Sequence, residues 1–230
     1  TSDLVYRFED RAYRLDLQLE RIFPKIAART YSFIKVQPAG LQAHYEVVYD
    51  IRQARTRQVS FRLPQTTPRS ISVRGLGDVV VKELASREQD DARIWTALLA
   101  RSRSESVRLA IDLQQRLPVA EPQELDLPIV AAEGVQYQTA IVAVEGHNDL
   151  DIEVSAGTAR KVDIGELAGA DYVVGRRLLG SYAFLGQPGV VQVDVVRRVG
   201  YRLPAAIVER AELVTVVAAS GLSQTGARYQ

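Results

Sequence analysis

Two histidines and two carboxylate-rich stretches are the places where this 230-residue chain could carry acid–base or metal chemistry. A zinc centre takes three or four His, Cys or acidic ligands that converge. Cys is absent, and neither His44 nor His147 has a partner at ligand spacing. His44 falls in a strand-like run, 41–51, where alternation with Gln42 and Glu46 predicts the wet face. His147 falls in the turn Gly146-His147-Asn148. Both read as surface histidines. Glu145, Asn148, Asp149, Asp151 and Glu153 supply oxygens of the kind calcium prefers. A calcium loop folds its ligands around one point, whereas a strand would space Asp149, Asp151 and Glu153 about 6.6 Å apart. That run reads as a solvated acidic strand face, and Glu88, Asp90 and Asp91 read as a solvated loop.

Nucleophile and phosphate motifs fail as well. Gly221-Leu222-Ser223-Gln224-Thr225-Gly226 has one residue too many for the G-x-S-x-G elbow. Gly175-Arg176-Arg177-Leu178-Leu179-Gly180 has no helix N-terminus to hold a phosphate and reads as an exposed strand start. A glycosidase carboxylate pair needs no sequence spacing, so 28 acids leave that chemistry formally open. Trp95 lies in a run apolar on both faces and reads as core. Tyr45 and Tyr49 share one strand face, and with Tyr6 and Phe8 they read as core or an interdomain seam. Asn148, the single asparagine, is followed by Asp and Leu, which excludes N-glycosylation. The resulting expectation is no catalytic residue, no metal ligand and no cofactor.

The elements that would position such residues are strands. Leu15, Leu17 and Leu19 alternate with Asp16, Gln18 and Glu20; Val107, Leu109, Ile111 and Leu113 alternate with Arg108, Ala110 and Asp112; Val191, Val193 and Val195 alternate with Gln192 and Asp194. Each such run buries one face. Further strand-like runs span 28–36, 41–51, 59–63, 70–73, 78–84, 92–99, 127–131, 135–144, 150–154, 159–164, 177–184 and 207–218. Gly, Pro and Asn punctuate them at short spacing. Helical signals are confined to 85–91, 165–170 and 205–213. The expectation is an all-β protein of two antiparallel β-sandwich-like domains. Residues 118–128, with three prolines and three acids, read as a surface linker. The boundary therefore falls near 119, giving domains 1–118 and 119–230.

A net charge of +1 provides no basic field for nucleic acid, and no apolar run reaches the length of about 20 residues that a helical membrane span needs. Hydrophobic residues at 47% and charged residues at 25% exclude a disordered chain. Met is absent, even at position 1, so the chain reads as a piece of a longer protein.

An ordered repeat is the most informative feature. Tyr6-Arg7-Phe8 recurs as Tyr182-Ala183-Phe184, and Leu15-x-Leu17-x-Leu19-x-Arg21 as Val191-x-Val193-x-Val195-x-Arg197. Residues 33–36 match 214–217, and Gly40-Leu41 matches Gly221-Leu222. Tyr49 and Tyr229 fall one residue out of register. The 182–229 part thus repeats 6–49, and neighbouring repeats or other proteins are the expected partners.

Tyr6-x-Phe8, the strand at 13–21, the Gly40-Leu41 turn, Tyr49-Asp50-Ile51, Phe61-Arg62-Leu63-Pro64 and Leu125-Asp126-Leu127-Pro128-Ile129 together resemble segments of very long bacterial envelope proteins of unknown function. That resemblance implies strings of β-sandwich repeats and an envelope location, and it carries no site residues. The expected function is a non-enzymatic structural or interaction segment. The alternatives are a carbohydrate- or small-ligand-binding β-sandwich and a hydrolase without a recognisable motif. The acidic reading yields one test. Millimolar calcium should leave the melting temperature unchanged, and an upward shift that Asp149→Asn with Asp151→Asn abolishes would refute the solvated-face assignment.

Overall fold

A computed structural model describes residues 7, 9, 14, 16, 18, 20, 22–117, 123–175, 177–198 and 208–230. Among the described residues strand makes up 62% and helix 3%, against an average of about 20–25% strand, so the protein is all-β and sandwich-like. The strands are β1 (Lys25–Gln37), β2 (Gly40–Arg52), β3 (Thr56–Pro64), β4 (Ser72–Gly75), β5 (Val81–Gln89), β6 (Ala92–Arg103), β7 (Ser106–Arg116) and β8 (Gln123–Asp126). They continue with β9 (Ala131–Glu133), β10 (Tyr137–Gly146), β11 (Leu150–Ser155), β12 (Arg160–Lys161), β13 (Leu178–Leu185), β14 (Gln192–Arg197), β15 (Ala211–Val217) and β16 (Ser223–Tyr229). A short 3₁₀ helix, Ile164–Gly169, lies between β12 and β13.

The chain divides into two units, Thr1–Arg197 and Arg198–Gln230. In the first, a seven-stranded sheet runs β12-β13-β10-β1-β2-β7-β4, a four-stranded sheet β5-β6-β3-β9 and a three-stranded sheet β11-β14-β8. The β1–β10 pair is parallel, and the other described pairs are antiparallel. One continuous cluster of buried side chains joins Ile34, Val36, Tyr45 and Leu109 of the large sheet to Phe61, Trp95 and Leu99 of the four-stranded sheet. It continues into Val191, Val193 and Val195 beside the third sheet. Trp95 and Tyr49 are core, as expected, and the Tyr49 hydroxyl donates to the Ser60 carbonyl at 2.7 Å.

The boundary expected near residue 119 is not where this chain divides. Strands from either side of it pair with each other: β1 with β10 and β3 with β9. Residues 118–122 lie outside the described set, but the expected linker also contains β8, which pairs with β14. Prolines lack an N–H, whereas Gln123 to Asp126 keep theirs and form an edge strand. Beyond them the Leu127 amide donates to the Val191 carbonyl, and the Pro128 carbonyl accepts the Tyr45 hydroxyl at 2.6 Å. A helical reading of 85–91 also fails. Residues up to Gln89 extend β5, where a register irregularity between Val81 and Glu83 lets both Val81 and Leu84 pack on the core. Asp90 then turns the chain with φ 53°.

The second unit is the hairpin β15–β16. The expected repeat is partly described here. Val191, Val193 and Val195 are buried as predicted; Tyr6, Phe8, Leu15, Leu17 and Leu19 lie outside the described residues. The β1–β2 hairpin closes through Pro38 and Ala39, with Gln37 opposite Gly40. The β15–β16 hairpin closes through Ala219, Ser220 and Gly221, with Gly221 at φ 81°. That is one extra loop residue, carrying the left-handed glycine of a three-residue hairpin loop. The extra residue shifts β16 by one, so Tyr229, opposite Ala211, stands where Val47 stands opposite Thr30. Tyr229 is therefore not the counterpart of Tyr49.

Because one core spans residues on both sides of 118, Thr1–Arg197 should unfold as one unit. Leu109→Ala, at a fully buried site, should lower stability by about 2–5 kcal/mol without splitting the transition. Two separated transitions that assign β1–β7 and β8–β14 to different units would contradict this division.

Candidate functional site

The outer face of the seven-stranded sheet carries a partly buried polar cluster. Register builds it. Phe33 of β1 stands opposite His44 of β2, His44 opposite Asp112 of β7, and Asp112 opposite Ser72 of β4. Period 2 then sends Tyr45, Val47 and Tyr49 to the core and His44 and Glu46 outward.

Outward is not wet here. The segment following β12 lies over this face, where Leu167 and Tyr172 pack with Tyr31, Phe33, Val48 and Ala143. His44 is consequently only 14% exposed and Glu46 1%, which corrects the expectation of a surface histidine beside a wet Glu46. Alternation correctly separated the two faces, but it carries no information about a segment more than a hundred residues away that covers one of them.

Glu46 spends its carboxylate on that covering segment. Oε1 accepts the Asp171 and Tyr172 amides at 2.8 Å each, and Oε2 pairs with Arg108 Nη2 at 3.0 Å. Arg108 also reaches Asp171 at 3.1 Å. Glu145, 3% exposed at a register irregularity in β10, accepts the Tyr172 hydroxyl at 3.2 Å and the Gly175 amide at 2.9 Å. Gly175 must be glycine for this approach, since a Cβ there would collide with the Glu145 carboxylate. Tyr172 packs on Phe33 with ring centroids 4.5 Å apart and stacks on His44 at 4.9 Å.

His44 lies between two carboxylates. Nδ1 is 2.6 Å from Asp112 Oδ1, and Nε2 is 3.6 Å from Glu46 Oε1. Burial alone would lower its pKa, but hydrogen bonds and charge from Glu46 and Asp112 outweigh burial and raise it. Burial would likewise raise the Glu46 pKa; His44, the two backbone amides and Arg108 outweigh it and hold the carboxyl below its ordinary value. Burial, and after it the charge of Glu145, raises the Tyr172 phenol. A serine-type relay needs the histidine between serine and acid. Here the order across the sheet is Ser72, Asp112, His44, and both imidazole nitrogens already face acids.

Beside this cluster opens a cavity of about 670 Å³ lined by Phe33, Lys35, Gln42, His44, Asp112 and Tyr172, among others. Lys35 and Gln42 are its remaining polar side chains on β1 and β2. A second cavity of about 660 Å³ lies at the ends of β3 and β6, where Asp90, Asp91, Asp126 and Glu133 outnumber Arg62.

The other sequence candidates do not join a site. His147 holds its turn: its Nδ1 accepts the Asp149 amide at 3.3 Å. Asp149, Asp151 and Glu153 are exposed, with Leu150, Ile152 and Val154 turned inward. Glu88 sits on β5 rather than in a loop and pairs with Arg69 and Arg93, whose guanidinium groups, Arg93 first, lower its pKa. Arg177 donates to the His147 and Leu150 carbonyls, and Arg176 lies outside the described residues. Gly221 is a turn glycine. Among the described residues no three His, Asp or Glu side chains group as metal ligands would. No described helix is long and apolar enough to cross a membrane.

The class defined so far is an all-β, sandwich-like protein. No protein-family model matches the chain, and no curated protein matches it. Solved structures with a likeness include an M1 zinc metallopeptidase from Deinococcus radiodurans, with 13% identity and a TM-score of 0.39. A point mutant of that enzyme gives 12% and 0.40, and a two-domain M1 zinc metallopeptidase mutant bound to L-tryptophan gives 11% and 0.36. Each match covers 89% of this chain and 47% of the other, so the chain spans about half the length of those proteins. Likeness at this level carries no argument about activity.

The cluster predicts a stability optimum bounded on both sides. The folded pKa of His44 lies above its unfolded 6.5, so its contribution is complete below pH 6.5 and is lost as pH rises through the folded value. The folded pKa of Glu46 lies below 4.5, so its contribution is complete above pH 4.5 and is lost as pH falls through the folded value. Melting curves across pH should show both fall-offs. His44→Gln should remove the alkaline one, and Glu46→Gln should cost about 1–3 kcal/mol near neutrality. An unchanged alkaline fall-off in His44→Gln would contradict the assignment.

Proposed function

We propose that this chain is a non-enzymatic structural or interaction segment: one β-sandwich-like unit, Thr1–Arg197, followed by the opening hairpin of another unit of the same kind. The observation that carries this reading is the hairpin β15–β16. Residues 214–217 and Gly221-Leu222 stand at the same offset from residues 33–36 and Gly40-Leu41, its pairing follows that of β1–β2 with one added loop residue, and its residues are exposed where most of those of β1–β2 are buried. The polar cluster supports the same reading. Its two buried carboxylates hold backbone amides of the covering segment, a structural use that leaves neither facing a substrate. The resemblance to long bacterial envelope proteins supports an envelope location, with neighbouring repeats as partners.

A carbohydrate- or small-ligand-binding module is the second reading, favoured by the aromatic ring of Tyr172 at a cavity with Lys35, Gln42 and Asp112. Tyr172 already stacks on His44 and packs on Phe33, so less of its ring is left for a sugar.

The repeat reading is tested by fusing residues 49–230 behind Gln230, which continues the hairpin at the register where Tyr229 stands for Val47. Amide exchange in 211–229 should slow by about three orders of magnitude or more, from that of a marginal hairpin to that of a domain core. Unchanged exchange in 211–229, with Thr1–Arg197 folded, would refute it.

A further inference from the structure

Three arginines share a second polar site with Glu88, away from the cluster on the seven-stranded sheet. A cavity of about 350 Å³ is lined by Arg69, Ser86, Arg87, Glu88 and Arg93, all of them polar. Register begins it. Glu88 of β5 stands opposite Arg93 of β6, and period 2 puts Arg93 on the face of Trp95, which is core. Arg93 is accordingly only 4% exposed. A buried guanidinium needs partners for its N–H groups. Nη1 donates to the Thr67 carbonyl at 2.9 Å, and Nη2 donates to Glu88 Oε1 at 3.3 Å. The loop after β3 adds to the rim: Arg69 Nη2 donates to the same Oε1 at 3.0 Å, and Gln65 Nε2 to Oε2 at 3.2 Å. Because β5 is the edge strand of its sheet, residues from both of its faces border the cavity, Ser86 and Glu88 from one and Arg87 from the other.

Charge in this cavity does not balance. Three guanidinium groups meet one carboxylate, which leaves an excess of two positive charges. The Arg87 guanidinium has no hydrogen-bond or ion-pair partner among the described residues. Asp90 and Asp91, next along the chain, line the cavity at the ends of β3 and β6 instead. Arginine forks match the oxygens of carboxylate and phosphate, and charge-assisted hydrogen bonds are roughly twice as strong as neutral ones. A phosphate monoester carries close to two negative charges above its second pKa of about 6, on three acceptor oxygens. The charge excess and the number of arginines both match that group. The volume sits at the lower end of ligand cavities, which run from about 300 to 1,000 Å³, and so suits a phosphoryl group on a small substituent.

We propose that Arg69, Arg87 and Arg93 form a binding site for a phosphoryl dianion, carried on a small ester or free as inorganic phosphate. Arg93, held by the Thr67 carbonyl, is the fixed donor, and Arg69 and Arg87 are the solvent-facing ones. Glu88 aligns Arg69 and Arg93 at a cost in affinity, since its own charge opposes the anion. This site is independent of the repeat reading and of the cavity beside Tyr172.

Calorimetric titration of the full chain with inorganic phosphate, glucose 1-phosphate and methyl sulfate tests it, at low salt and about pH 7.5, above the second phosphate pKa. Both phosphates should bind, and singly charged methyl sulfate should bind about 10-fold more weakly or worse. A lower Kd for glucose 1-phosphate than for phosphate assigns the site to an ester; an equal or higher one assigns it to the free anion. Arg87→Gln removes no contact of the described fold. It should weaken phosphate binding about 10-fold, the size of one charge-assisted hydrogen bond, with an unchanged melting temperature. Glu88→Gln should tighten binding, and Arg52→Gln, on β2 outside this cavity, should leave it unchanged. Absence of phosphate binding, equal binding of methyl sulfate, or equal losses in Arg87→Gln and Arg52→Gln would overturn the proposal. So would a folded Glu88→Gln protein that binds phosphate no better than the parent chain.

Discussion

A strand buried on both faces must find cover on both, and β1 imposes that demand on the first unit. Its side chains from Thr30 to Ile34 are buried without interruption. Ile34 and Val36 enter the main core, and Tyr31 and Phe33 enter a second cluster on the opposite face. Parallel pairing with β10 and antiparallel pairing with β2 satisfy its backbone. Parallel pairs are usually covered on both faces for this reason. The four- and three-stranded sheets cover one side, and a segment with a six-residue 3₁₀ helix covers the other.

That second cover is thin, and its attachment explains the polar cluster. An irregular segment laid on a sheet brings backbone amides with no ladder partner, and a buried unpaired N–H is costly. Glu46 takes two of them and Glu145 a third. Each carboxylate is itself compensated, Glu46 by Arg108 and His44 and Glu145 by the Tyr172 hydroxyl. Residues that suggest acid–base chemistry are therefore occupied as anchors. Their charge matters for how the cover is held, which ties the cluster to stability.

Much of the fold was legible in the sequence. Alternation located β7 and β14 within a few residues, because a half-buried strand writes its environment into every second position, and dense β-branched and aromatic residues located β1, β2 and β10. The hairpin β15–β16 carries one loop residue more than β1–β2, which sets Tyr229 opposite Ala211. Prolines misled at 118–128, since the amides between them were free to pair.

What the sequence by itself determined was local: strand identity, the inward face of each strand, the turns, and the absence of recognisable catalytic motifs. The tertiary structure alone decided which strands lie side by side. It joined β1 to β10 across a long stretch of intervening chain and so merged two expected domains into one. It also buried His44 and Glu46, which read as solvent-facing. Periodicity reports that a side chain leaves the core face; whether water or another segment waits there depends on contacts between residues far apart in the chain, and those leave no periodic trace.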